Sequence, residues 1–365
     1  MEGALPGEEV EAEILQDKKD FLRLRTVKVL KSSPHRVQAP CTYYGRCGGC
    51  QYQHVSYEEV LRLKGSQLRD VLQKIAGIKT DVPPLAHGAD YGYRSSVTFH
   101  IGPREKNKAP HLCFVSKDNV SLIPVKNCAL LQAPLQTVFE KPARITKGSE
   151  KVSFKLDEKN TLFSDQEELF FRVRLAGQTL VVNSKGFFQN NLAVTELLCR
   201  KVSQWVNELK PRLFYDLYAG VGTFSLTCAA GVPQIVCVEE NPFAVAALQM
   251  NREEKKSTNM EIVRGRVEKA FPALWKEATA DSSLVFMDPP RQGLEKKFAE
   301  FLSARCRAAA MIYVSCDVAT LARDLKILLA GGCWEFRELA PFDMFPWTKH
   351  MEAAVLLTGN HGKIN

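Results

Sequence analysis

Cys316 is the side chain of this sequence best suited to covalent chemistry. It lies in Ser315-Cys316-Asp317, after an apolar run at 310–314 that reads as a buried strand and before a helical stretch at 318–329. A cysteine at the carboxyl end of a parallel strand sits where such sheets bind ligands. The N-terminus of the following helix would favour the thiolate, which is the reactive form. A buried structural cysteine is the commoner fate of a free thiol, and the strand-end position raises the nucleophile above it. A nucleophile that adds to its substrate splits one hard step into easier ones, and it needs a partner that handles protons. Glu352, in Lys349-His350-Met351-Glu352 just before the last apolar run, is the candidate. A carboxylate in partly apolar surroundings has its pKa raised toward the working range.

A second constellation points to a cofactor. The apolar run at 213–217 leads into Tyr218-Ala219-Gly220-Val221-Gly222-Thr223, and a helix follows. Glycines at a strand-to-helix turn let a ligand approach the backbone. The next run, 235–238, ends in Glu239, about nineteen positions beyond Gly220, where an acid suits a ribose diol. Phe224 and Ser225 stand where a dinucleotide motif would place its third glycine. The pattern therefore favours a nucleoside cofactor without a pyrophosphate, S-adenosylmethionine (AdoMet), over NAD. The run at 284–287 ends in Asp288-Pro289-Pro290-Arg291. In AdoMet methyltransferases such a turn closes the fourth strand beside the transferring methyl. Amino-group methyltransferases usually follow the prolines with an aromatic residue, so Arg291 weighs against that subtype.

A third constellation is rich in sulfur. Cys41, Cys47 and Cys50 fall within ten residues, with Gly48 and Gly49 letting the backbone wrap closely; Cys128 follows at a distance. Four thiolates suit zinc or an iron–sulfur cluster. The asymmetric spacing with a remote fourth member is unlike the paired knuckles of zinc ribbons and favours iron–sulfur. Cys113 is the nearest competitor for the fourth place.

The elements that must position these groups follow from length and periodicity. The chain has 365 residues, enough for two or three domains. Its net charge of +8 is a weak pointer to an acidic partner. The acidic N-terminus has no apolar core of a signal peptide, and no run approaches membrane-spanning length. A cytoplasmic protein is expected, in which eleven cysteines are reduced thiols rather than disulfides. Residues 8–31 alternate charged and apolar positions and predict a strand pair turning at 16–20. Residues 57–75 have helical periodicity, and 91–182 look strand-rich. From about Gly186 short apolar strands alternate with helices, at 192–209, 213–217, 234–238, 243–254, 261–263, 284–287, 310–314, 318–329, 336–339 and 353–357. Alternating units of this kind imply an α/β fold with a doubly wound parallel sheet.

Taken together, the motifs resemble those of the RNA 5-methyluridine (uracil-5-) methyltransferases, in the iron–sulfur branch typified by bacterial 23S rRNA enzymes. The stretches that carry the resemblance are CTYYGRCGGCQYQH, GFFQNN at 186–191, DLYAGVGTFSL, DPPRQGL, VSCDVATLARDL and FDMFPWTKHMEAAVLL, in that order along essentially the whole chain. The resemblance implies a 4Fe–4S cluster on Cys41, Cys47, Cys50 and Cys128. It implies AdoMet contacts from Gln189, Tyr218, Thr223, Glu239 and Asp288 around the Gly220 and Gly222 loop, with Cys316 as nucleophile and Glu352 as base. The organisation implied is a partial TRAM-like β segment at 1–38, a central cluster-bearing domain at 39–185 and a catalytic domain at 186–365, acting as a monomer. The reaction implied is methylation of uridine carbon 5 in RNA, with rRNA favoured as target over the tRNA T-loop. Thiolate addition at carbon 6 would make carbon 5 nucleophilic, and a base would then remove the carbon-5 proton. The target base must be turned out of RNA structure, and Lys18, Lys19, Arg23, Arg25 and Arg46 are candidates to hold phosphates. The sequence departs from the family at Arg266, where an Asp or Asn near the adenine is common. Two readings from other classes stand beside this one: a non-catalytic iron–sulfur RNA-binding protein, and an amino-group methyltransferase.

Overall fold

The computed structural model describes residues 1–102, 111–140, 149–275 and 277–360. The chain opens with an antiparallel hairpin, β1 (Glu9–Lys18) and β2 (Phe21–Lys31), turning at Lys19–Asp20 inside the predicted turn region. Both faces are largely exposed, as a charge-alternating pair with no covering layer must be. Helix α1 (Tyr57–Val71) begins after Ser56 with Glu58 and Glu59 in its first turn. It runs on through a π-helical turn, Leu72–Ala76, and stops at the left-handed Gly77.

A five-stranded antiparallel sheet follows, built from β3 (Ser96–Ile101), β4 (Leu112–Val115), β5 (Leu122–Pro124), β6 (Lys151–Leu156) and β7 (Leu162–Ser164) in the order β5-β4-β3-β6-β7. Alternate residues Val97, Phe99, Val152, Phe154 and Leu156 point into its core, and the short helix α2 (Ala133–Gln136) covers them with Leu135. A second hairpin, β8 (Phe170–Leu175) and β9 (Gln178–Asn183), leads to α3 (Leu192–Leu209).

The remainder is a seven-stranded sheet in the order β12-β11-β10-β13-β14-β16-β15. Its strands are β10 (Leu213–Leu217), β11 (Gln234–Glu239), β12 (Met260–Arg264), β13 (Ser283–Met287), β14 (Ala310–Ser315), β15 (Trp334–Phe342) and β16 (Glu352–Gly359). Between them run α4 (Thr223–Cys228), α5 (Pro242–Glu254), α6 (Val267–Leu274), α7 (Lys296–Ala304) and α8 (Val318–Ala330). The central strands β10, β13 and β14 are buried at every position and mostly apolar because both faces are covered. Phe214, Ile235, Phe286 and Ile312 pack toward α3, α4 and α5, and Tyr215, Val236, Val285 and Tyr313 toward α7, α8 and Leu68 of α1.

In one respect the doubly wound parallel sheet expected from the sequence is corrected. β10 to β14 are parallel, but β16 runs antiparallel to both β14 and β15. No helix separates β15 from β16, so the chain doubles back beside its predecessor instead of crossing over. No described helix is long and apolar enough to cross a membrane.

Candidate active site and cysteine site

The antiparallel β16 is what brings the two candidate reacting groups together. Ser315 pairs with Ala353 at the end of the β14–β16 ladder, so Cys316 and Glu352 are the next residues on adjacent strands. Directly opposed residues share a face of the sheet. Glu352 is buried, whereas Cys316 is half-buried. Asp288 leaves the end of β13, the strand on the other side of β14, and its charge also acts on Cys316.

Arg291 is the cation of this group. Its charge, helped by a weaker hydrogen-bonding contribution to the thiol, lowers the pKa of Cys316, and its charge lowers that of Glu352. The turn that carries it is pressed against α8. Gly293 N–H donates to the Pro290 carbonyl (2.7 Å) in a positive-φ conformation. A Cβ on Gly293 would meet Thr320 Cγ2 at 2.2 Å and Asp324 Oδ2 at 2.4 Å, so only glycine fits there. Leu294 N–H (2.9 Å) and the Tyr313 hydroxyl (2.7 Å) both donate to the buried Asp324 Oδ2. The arginine therefore stands on a rigid support.

The electrostatic balance differs from the sequence-based expectation for Cys316. Its pKa is pushed up to about 11, first by burial and then by Glu352 and Asp288, against the opposing pull of Arg291. The start of α8 does not reverse this. Asp317 caps the helix, its Oδ1 accepting from Thr320 N–H (2.9 Å), so a carboxylate already occupies the positive helix end. Glu352 is raised well above the ordinary carboxylate range by desolvation and by Asp288. Desolvation also lifts Asp288 and Asp216 to about 7, helped by the charge of Asp216 on Asp288 and of Glu239 on Asp216.

The cofactor loop has the geometry its glycines predict. Tyr218, Gly220 and Gly222 all have positive φ, and Gly222 lies where a Cβ would stand 2.5 Å from Leu248. Thr223 opens α4 just beyond. Glu239, at the end of β11, accepts from Gly220 N–H through Oε2 (2.8 Å) and from Asn241 N–H through Oε1 (2.8 Å). The Tyr218 hydroxyl donates to Glu268 (2.8 Å). Gln189 lies in a stretch tied to the five-stranded sheet. Ser95 and Ser96 N–H groups donate to Asn190, and Lys155 Nζ donates to Gly186 and Ser184 carbonyls. Asn191 then caps α3. Arg266 pairs with Glu295. Carboxyls at the ends of β11 and β13, on either side of the open Gly220 backbone beyond β10, fit a cationic nucleoside such as AdoMet.

The four cysteines singled out together line one cavity of about 250 Å³, with Tyr43, Arg94 and Leu130 among its other walls. Burial pushes Cys47, Cys50 and Cys128 up, Cys50 to about 12, while Arg94 opposes the rise at each. Cys113 lies apart, buried on β4 beside Gly102. Among the described residues no group of three or more His, Cys, Asp or Glu is gathered tightly enough for a single metal ion.

Arg291, Asp216, Lys155 and Lys64 are contributors that motif reading missed. Only Arg291 carried a signal, as the unexpected residue after Asp-Pro-Pro. Lys64 is fully buried on α1 and donates to Asp343 Oδ1 (2.6 Å) and to the carbonyls of Phe345 (3.1 Å) and His350 (2.7 Å), holding the β15–β16 connection.

A nucleoside-cofactor loop beside a thiol and a carboxyl at adjacent strand ends defines an AdoMet-dependent methyltransferase of the doubly wound class. The chain belongs to the tRNA (uracil-5-)-methyltransferase family, whose model matches residues 156–360. It is an RNA methyltransferase, as its relatives are named. It is 26% identical to an uncharacterized RNA methyltransferase of Halalkalibacterium halodurans, over 97% of this chain and 90% of that protein. It is 29% identical to the 23S rRNA (uracil(1939)-C(5))-methyltransferase RlmD of Vibrio campbellii, over 98% and 90%. Its fold is similar to that of the Pyrococcus abyssi tRNA (uracil-54, C5)-methyltransferase solved with S-adenosyl-L-homocysteine, with a TM-score of 0.71 and 21% identity over 97% of this chain and 94% of that one.

Proposed function

We propose that this enzyme methylates carbon 5 of a uridine in RNA, with Cys316 as nucleophile and Glu352 as base. The observation that carries the reading is the β14–β16 register, which sets these two side chains next to each other. When bound, AdoMet supplies an electrophilic methyl group. Gln189, Tyr218, Gly220, Gly222, Thr223, Glu239 and Asp288 are the residues that would hold it. The Cys316 thiolate adds to uracil carbon 6, and the electron pair of the carbon 5–carbon 6 bond moves into an enolate. Carbon 5 takes the methyl. Glu352 removes the proton from carbon 5, the double bond re-forms and the thiolate leaves. A carboxyl with a raised pKa is a stronger base for that proton than an ordinary one, provided it is ionised when the adduct forms.

Large-subunit rRNA is the target we favour, supported by the 29% identity to a 23S rRNA enzyme across nearly the full chain. The name of the matching family model favours tRNA as the second reading. Cys41, Cys47, Cys50 and Cys128 would hold a 4Fe–4S cluster. They frame a cavity rather than converge on one point, whereas the sulfurs around a single zinc lie within roughly 4 Å of each other. When bound, the cluster joins two distant chain segments; it takes no part in the chemistry proposed. The three parts read from the sequence, at 1–38, 39–185 and 186–365, would then divide RNA holding, cluster support and catalysis. Of the basic groups on the hairpin, Arg23 is paired with Glu2 (2.6 Å) and Arg25 with Glu13. Those exposed pairs are weak enough to yield to phosphate. The test is anaerobic methyl transfer from labelled AdoMet to unmodified rRNA and tRNA in parallel, with nucleoside analysis. Label in 5-methyluridine from one RNA supports the reading and selects the target; no label in either overturns it.

A further inference from the structure

The loop that carries the cysteines and the loop that aims Glu352 are joined directly, and one side chain makes the joint. Gln51 follows Cys50. Its Nε2 donates to the Gly48 carbonyl (2.8 Å), inside the cysteine loop. Its Oε1 accepts from Lys349 N–H (3.1 Å), three residues before Glu352. The backbone N–H groups of Gln51 (2.9 Å) and Tyr52 (3.0 Å) both donate to the Trp347 carbonyl. Trp347 has a positive φ and stacks on Tyr91 with ring centroids 5.1 Å apart. It belongs to a small apolar cluster with Val55 and Leu130, against which Cys50 and Cys128 pack. The connection from 343 to 351 makes no ladder of its own until Glu352 pairs with Phe342. Its course just before the base is therefore set largely by hydrogen bonds from elsewhere.

We propose that Gln51 is a positioning residue for the catalytic base, tying the cysteine loop to the segment that aims Glu352. This rests on the assignment of Glu352 as base. The tie acts on one step, removal of the carbon-5 proton. RNA capture, addition of Cys316 and methyl transfer precede that step and do not need Glu352 in place. An enzyme with a misplaced base therefore stalls as a methylated adduct, in which Cys316 is still bonded to carbon 6 and the proton is still on carbon 5. General destabilisation would lower all steps together and leave no such species.

The test compares the wild-type enzyme with Gln51→Met, which keeps the side-chain volume and loses both side-chain bonds, and with Glu352→Gln as the reference for a lost base. Each is incubated at matched iron content with methyl-labelled AdoMet and the RNA transcript that the wild type methylates. Free 5-methyluridine and a denaturation-resistant protein–RNA complex carrying label are both measured. Gln51→Met is expected to release product about tenfold more slowly, the effect of one hydrogen bond, and to accumulate the labelled complex as Glu352→Gln does. Gln51→Glu, which keeps an acceptor oxygen for Lys349 N–H, is expected to release product faster than Gln51→Met. Release from Gln51→Met at the wild-type rate, or loss of turnover without the labelled complex, overturns the proposal. Release from Glu352→Gln at the wild-type rate, with no labelled complex, overturns the assignment of the base itself, and that is read in its own lane.

Discussion

Arg291 offers the sharpest test of the electrostatics around Cys316. With the thiol pushed up to about 11, only about one molecule in a few thousand carries a thiolate at pH 7.5. Arg291 is the group that resists this rise, first through its charge and then through a hydrogen bond. A hydrogen bond to a charged group contributes about 1.5–3 kcal/mol when well shielded. Arg291 is exposed, so solvent screening brings the figure to about the lower end, which is about one pH unit. Arg291→Met should therefore lower the thiolate fraction about tenfold. A more basic thiolate is also a better nucleophile, with a Brønsted slope of about 0.4–0.5, so roughly half of the loss on a logarithmic scale is recovered. The net expectation is a threefold to fourfold slower alkylation of Cys316 by iodoacetamide at fixed pH, on the order of that Brønsted correction, with the pH profile moved up by about one unit. The rate is read on the Cys316 peptide by mass spectrometry, which separates it from the other ten cysteines. Glu352→Gln should change the profile in the opposite direction, because it removes a charge that raises the thiol pKa. Alkylation of Arg291→Met at the wild-type rate or faster would refute the reasoning, since burial and the carboxylates would then set the thiol alone.

Three further outcomes follow from the same structure. Cys316→Ala should abolish methyl transfer and the covalent complex with 5-fluorouridine RNA, and full activity in that variant would remove the thiol from the mechanism. Asp216 has one carboxylate oxygen buried without a partner and a folded pKa of about 7 against 3.8 unfolded. Its penalty is absent below about pH 4, grows as pH rises from about 4 to about 7, and is constant above that. Asp216→Asn should therefore stabilise the ligand-free protein at pH 7.5 by up to about 4 kcal/mol, with no gain near pH 4, as read by denaturant unfolding. Lys64→Met should cost about 3–5 kcal/mol in the same assay by leaving Asp343 buried without its cation. The double variant Lys64→Met/Asp343→Leu should recover part of that loss.

The strand and helix pattern from residue 192 onward was legible because buried parallel strands write themselves as short apolar runs between helices. Strand direction was not, because periodicity is the same whichever way a strand runs. That one ambiguity matters most here, since the reversal of β16 is what sets Glu352 beside Cys316. The sequence could nominate both residues, through a strand-end position and a family motif, but the reason they meet lies in the register. The thiol shows a second limit. A cysteine before a helix reads as activated, yet Asp317 satisfies the helix end and the neighbouring carboxyls outweigh what remains. Lys64 and Gln51 show a third. Lys64 stands on the buried face of α1 between Val60 and Leu68, where its type names no partner, and Gln51 is one more polar residue in a turn. Two of the three groups that accept from the Lys64 ammonium, and both partners of the Gln51 side chain, are main-chain atoms, all but the Gly48 carbonyl in distant segments. A main-chain carbonyl or amide is the same at every position along a chain. No residue type at the far end marks such a bond, so the supports of the proposed base became visible only once the two loops stood side by side.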